Sequence, residues 1–101
     1  MENYTTEQVK EMIASGKKVV VDFWAEWCQP CRVFVPVFEQ VSEEGKFADT
    51  VFVKCNVDTE SELPVKYGIR SIPTIILFEG GDIKSKQTGA MSKTQFETFL
   101  S

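Results

Sequence analysis

The chain contains no histidine, and only three of its 101 residues are cysteine. A zinc site usually takes four ligands from Cys and His. Three sulfurs, one of them (Cys55) in the middle of an apolar run, leave a complete intrachain metal site short of ligands. An odd cysteine count also argues against a secreted disulfide framework, which favours an even number at higher density. Nor is there a basic excess: 11 Lys and Arg stand against 15 Asp and Glu, for a net charge of -4. Such a chain offers no electrostatic reason to bind nucleic acid or an anionic membrane. No apolar run approaches the ~20 residues a membrane helix needs. The opening Met1-Glu2-Asn3-Tyr4-Thr5-Thr6 lacks the basic region and apolar core of a signal peptide, so the chain reads as cytoplasmic. There is no linker, repeat or low-complexity stretch, and a composition 43% hydrophobic and 26% charged is that of one globular domain over residues 1–101.

What is present alternates between helical and extended patterns. Thr5-x-x-Gln8 predicts a capping box opening a helix that carries Val9, Met12 and Ile13 and stops at Gly16. Val19 to Trp24 is a β-branched and aromatic run, apolar on both faces except at Asp22, as in a strand covered on both sides. From Cys31 the apolar spacing (Val33, Phe34, Val37, Phe38, Val41) predicts a helix to about Glu44 with Gly45 as its stop, bent at Pro36. A second strand follows over Val51–Val57, then a short helix around Ser61 to Tyr67 closed by Gly68. Thr74–Phe78 is a third strand, turned through Gly80-Gly81 into a fourth at Asp82 to Thr88. Ser92-x-x-Gln95 opens a last helix bearing Phe96, Phe99 and Leu100. The order α-β-α-β-α-β-β-α predicts an α/β fold: a mixed central sheet of four to five strands with helices on both faces. Strands separated by helices are expected to run parallel, and the final hairpin antiparallel.

Cys28-Gln29-Pro30-Cys31 carries the chemistry. Cys28 falls at the junction of strand and helix, Cys31 one turn further in, so the two sulfurs share a helix face. Free N–H groups and the positive dipole end of the helix favour a thiolate there, and Pro30 suits a first turn. Lowering a thiol pKa from ~8.5 to ~7 raises the thiolate fraction near neutrality roughly 16-fold, and the accompanying loss of nucleophilicity takes back roughly 5-fold. The larger gain lies in the neighbour, a second thiol at high effective concentration that can expel the first from a mixed disulfide. A static disulfide would close a loop too small to constrain the unfolded chain much. A working redox pair is the reading that uses the spacing.

Phe23-Trp24-Ala25-Glu26-Trp27-Cys28-Gln29-Pro30-Cys31 resembles the thioredoxin active site, as do Tyr67-Gly68-Ile69-Arg70-Ser71-Ile72-Pro73-Thr74 and Thr88-Gly89-Ala90, in the family's order and over nearly the whole chain. The resemblance implies a thioredoxin fold and a protein-disulfide reductase acting by dithiol–disulfide exchange. Cys28 would be the nucleophile, Cys31 the resolving thiol, and Asp22 the group that deprotonates Cys31. Burial should raise the carboxyl pKa of an unpaired Asp22, which suits a base working near neutrality. Lys54 matches a lysine near that aspartate, with a solvated surface lysine as the plainer reading. Pro73 matches a cis-proline facing the cysteines. Trp27, Gln29, Pro30, Ser71, Ile72, Pro73, Gly89 and Ala90 would form the substrate groove, with Trp24 as supporting core. The resemblance further implies no bound cofactor, electrons from NADPH through a thioredoxin reductase, disulfide-containing protein substrates and a monomeric state.

Two departures stand out. Gln29 replaces the glycine usual in cytosolic thioredoxins, at a position that tunes the balance of dithiol and disulfide, so an extracytoplasmic oxidant or isomerase is an alternative. A non-enzymatic binding module that uses only the groove is another. The few residues before the first helix leave the edge strand that many members carry either reduced to a few residues or missing. Cys55 shares its strand face with Val51, Val53 and Val57 and reads as core.

Overall fold

The computed structural model describes residues 3–101. It contains α1 (Thr6–Ala14), β1 (Lys18–Trp24), α2 (Gln29–Glu43), β2 (Thr50–Asn56), α3 (Glu62–Lys66), β3 (Thr74–Glu79), β4 (Asp82–Thr88) and α4 (Lys93–Leu100). Both expected capping boxes form. Thr5 Oγ1 accepts from the Gln8 N–H at 3.2 Å while the Thr5 N–H donates to Gln8 Oε1 at 2.9 Å. Ser92 and Gln95 repeat the exchange at the start of α4. Pro36 lies inside α2 without ending it.

The four strands are ordered β2-β1-β3-β4. β1 pairs parallel with β2, placing Asp22 opposite Lys54. β1 pairs antiparallel with β3, and β3 antiparallel with β4. The expectation that strands separated by a helix run parallel therefore fails at β3. The link from β2 to β3 does not cross back along the sheet: Thr74 pairs with Phe23, at the same end where Asn56 pairs with Trp24. The chain instead enters β3 from the end at which it left β2. Among the described residues the edge before α1 carries one parallel bridge, between Asn3 and Lys54, extended by the Tyr4 N–H donating to the Lys54 carbonyl at 2.9 Å.

Strand alternation sends β1 side chains into two cores. Val19, Val21 and Phe23 pack with Val9 and Ile13 of α1, Leu63 of α3, and Val53, Cys55, Ile76 and Phe78 of the sheet. Val20 faces the other way, with Ile75 and Leu77, onto Phe34, Phe38 and Val41 of α2 and Phe96 and Leu100 of α4. Phe96 is the hub of that layer, its ring centroid 5.1 Å from Phe34, 5.5 Å from Phe38 and 6.1 Å from Phe52. Phe96→Ala removes the ring that joins α4 to α2. The expected cost is about 3–5 kcal/mol. Thermal unfolding followed by circular dichroism should show the midpoint falling by roughly 12–40 °C.

Candidate active site

Cys28 is the N-cap of α2. Its backbone is extended (φ -90°, ψ 111°), its carbonyl accepts the first helical hydrogen bond from the Arg32 N–H at 3.1 Å, and its sulfur accepts from the Cys31 N–H at 3.3 Å. A capping side chain satisfies one of the helix's free N–H groups. Here the cap is a sulfur, so the fifteen-residue helix directs its positive end at the atom where negative charge would develop. Cys31, three residues on, is joined to Cys28 by a disulfide with the Cα atoms 5.3 Å apart. Access is asymmetric: Cys28 is 5% exposed and Cys31 is fully buried.

The Ile72–Pro73 peptide bond is cis. The Ile72 carbonyl oxygen lies 3.5 Å from Cys28 Sγ, an acceptor for a reduced thiol there. Ile72, Val35 and Val57 pack on a small cluster made of Trp24, Ala25, Cys28 and Cys31. The segment is held from behind by Thr74 Oγ1 donating to the Ser71 carbonyl at 2.6 Å, and by the Gly89 N–H donating to the Pro73 carbonyl at 2.8 Å. Gly89 adopts φ +99°, a conformation that glycine alone reaches without strain.

Beside the disulfide runs a groove of about 220 Å³ lined by Trp27, Val57, Pro64, Ile69, Arg70 and Ile72. Trp27 is 70% exposed, and its indole N–H donates to Asp58 Oδ2 at 2.8 Å. Of the residues the sequence nominates for this groove, Trp27 and Ile72 form its walls, while Ser71, Pro73 and Gly89 support Ile72 from behind. Gln29 and Pro30 are exposed at the start of α2. Ala90 lines a different depression, against Met91 and Phe99. Val57, Asp58, Pro64, Ile69 and Arg70 are not among the residues the sequence nominates for the groove. Ile69 and Arg70 stand within the Tyr67–Thr74 stretch, whereas Asp58 carries no signal until the fold sets it under Trp27.

Asp22 is fully buried, and neither carboxylate oxygen has a hydrogen-bond partner among the described residues. Burial pushes its carboxyl up to about 7, with the attraction of Lys54 working in the opposite direction. Lys54 is itself buried, its Nζ lying 4.2 Å from the centroid of the Trp24 ring. Cys55 sits in the core on the α1 side. Burial, then the charges of Glu60 and Asp22, push its thiol up to about 12, so it is no nucleophile near neutrality. No cluster of three or more His, Cys, Asp or Glu able to hold a metal ion occurs among the described residues, and no helix among them is long and apolar enough to cross a membrane.

A sulfur at a helix N-terminus, a second sulfur buried behind it, a buried carboxyl with a raised pKa and an apolar groove alongside are the parts of a thiol–disulfide exchange site. The family model described as thioredoxin matches residues 1–101. A thioredoxin of Acidithiobacillus ferridurans is 43% identical over 91 residues, 89% of this chain and 82% of that protein. A thioredoxin of Rickettsia bellii is 45% identical over 84 residues, 83% of this chain and 79% of that one. Among solved structures, a Plasmodium falciparum thioredoxin superposes with a TM-score of 0.86 at 30% identity, covering 95% of this chain and 91% of that one. A Malassezia sympodialis thioredoxin gives 0.87 at 33% identity, covering 95% and 85%.

Proposed function

The chain belongs to the thioredoxin family and is a thiol–disulfide oxidoreductase of the protein-disulfide reductase type, and on that premise we propose how its residues divide the reaction. Cys28 attacks first, because it is the less buried of the two cysteines and the one whose sulfur caps the helix. Its thiolate forms a bond to one sulfur of a substrate disulfide, and the other substrate sulfur leaves as a thiolate that takes up a proton. Cys31 then gives its proton to the Asp22 carboxylate and attacks Cys28 Sγ. The second substrate sulfur departs, and two electrons have passed to the substrate. What remains is the Cys28–Cys31 disulfide present in this structure.

The observation that carries this reading is the pairing of a capping, accessible sulfur with a buried one joined to it. An extended substrate segment lies along Trp27 and Ile72, with Gln29 and Pro30 at its edge and Ser71, Pro73 and Gly89 shaping the ground beneath. Lys54 and Trp24 support Asp22. A thioredoxin reductase returns the two electrons from NADPH. The chain works in the cytoplasm as a monomeric single domain, 1–101.

The test is the reduction potential of the pair, measured by equilibration in thiol–disulfide buffers on Cys55→Ser protein, together with NADPH consumption in the presence of a thioredoxin reductase and a protein disulfide. A potential below the cytosolic glutathione poise and sustained NADPH consumption are expected. A potential well above that poise would make the chain an oxidant, with Gln29 as the first residue to exchange for glycine.

A further inference from the structure

Asn3 is distant from the cysteine pair in sequence, yet it holds the surroundings of Asp22 at two points. Its Oδ1 accepts a hydrogen bond from Trp24 Nε1 at 2.8 Å. Its backbone bridges to Lys54, and the next residue donates its N–H to the Lys54 carbonyl. The ring that Asn3 anchors is the ring over which Lys54 Nζ sits, and the strand that it pins is the strand that carries Lys54. Lys54 in turn stands opposite Asp22 in the β1–β2 pairing, and its charge acts on that carboxyl.

The consequence follows from where the ammonium rests. A desolvated cation over an indole is attracted by the negative face of the ring, and it keeps its field because water is excluded. Without a fixed ring and a covered strand edge, water becomes the better host. An ammonium that moves outward has its attraction for Asp22 screened by the higher dielectric. Among the described residues Lys54 is the charge that acts on Asp22. β3 offers Ile75 opposite Asp22, which is apolar. On β2 the other titratable group is the Cys55 thiol, which feels Asp22. Toward α2 the groups are Cys28 and Cys31, packed on Trp24.

We propose that Asn3 is a positioning residue for the exchange reaction: by anchoring the Trp24 indole and the β2 edge it seats the Lys54 ammonium, and so governs the protonation of Asp22. The proposal rests on the reading of Asp22 as the base for Cys31, and the experiment separates the two.

The Asp22 carboxyl carbon is titrated by NMR in the reduced full chain. Asn3→Ala should move its midpoint upward by on the order of half a pH unit. The same change in a Lys54→Met background, where the aliphatic stem remains and the charge is gone, should move it no further. An unmoved midpoint in Asn3→Ala, or an equal displacement with and without Lys54, overturns the proposal. The pH profile of mixed-disulfide resolution is recorded alongside. A profile that follows the carboxyl midpoint supports both readings. A profile that stays fixed while the midpoint moves removes Asp22 as the base and leaves the Asn3 linkage standing.

Discussion

Cys31→Ser protein is expected to remain covalently bound to its substrates, while Cys28→Ser protein is expected to lose disulfide reduction altogether. The asymmetry comes from the two sulfurs' positions. Cys28 caps α2 and keeps 5% of its surface exposed; Cys31 is fully buried behind it and bonded to it. With Cys28 gone, no sulfur is left that a protein disulfide can approach, and Cys55, in the core with its thiol pushed up to about 12, offers no substitute. A loss of at least about 10³-fold follows from removing the nucleophile, since no other group on the chain supplies that covalent step. With Cys31 gone, the first attack proceeds, but the intramolecular step, favoured by effective molarities of about 10⁵ M or more, is absent. The intermediate then waits on a bimolecular thiol. Non-reducing electrophoresis of each variant after incubation with a disulfide protein distinguishes them: one band shifted by the substrate's mass for Cys31→Ser, none for Cys28→Ser. Undiminished turnover by Cys28→Ser would remove the assignment of roles.

The second large effect concerns stability. Asp22 has a folded carboxyl pKa of about 7 against an ordinary 3.8, because burial disfavours its charge. Below the ordinary value both folded and unfolded chains hold the proton, and nothing is lost. Between about 4 and about 7 the unfolded chain releases a proton that the folded chain retains, so stability falls as the pH rises. Above about 7 both are ionised and the loss is complete, on the order of 4 kcal/mol. Asp22→Asn keeps the shape and removes the titration. The variant should match the parent near pH 4 and be several kcal/mol more stable at pH 8, as read from urea unfolding across the range. It should also resolve mixed disulfides at least about 10-fold more slowly near neutrality, having lost its base. A parent-like pH dependence in the variant would show that Asp22 is not the group responsible. The two outcomes together describe a residue kept at the expense of the fold it sits in.

Much of this was legible in the residues because local rules set it. Thr5 with Gln8 and Ser92 with Gln95 name their own helix starts, and the run from Val19 to Trp24 names a strand covered on both faces. Cys28 and Cys31 share a helix face by spacing, and the motifs around them make the pair a redox site. The direction of β3 was not legible, since the α-β alternation does not encode whether the link after β2 crosses back along the sheet or stays at one end of it. Neither were Asp58 beneath Trp27 nor Asn3 beneath Trp24, because each contact spans more than twenty residues of chain and uses a polar side chain of a type common in loops. The groove shows the same division: its two nominated walls lie in recognisable motifs, whereas Val57 and Pro64 are ordinary strand and helix residues until the fold sets them side by side.

The hydrogen bond from Gly89 to Pro73, and the contact of Ile72 with Cys28, have a consequence for the chain while it is being made. A ribosome delivers the two sulfurs early and the platform beside them late. At about 5–20 residues per second, the roughly 60 residues from Cys28 to Gly89 take about 3–12 s to add. Throughout that interval the nascent chain carries a pair of thiols with nothing to present a partner to them. The ability to engage another protein's disulfide is thus among the last properties the polypeptide acquires, and it arrives only once β4 has emerged and closed against β3.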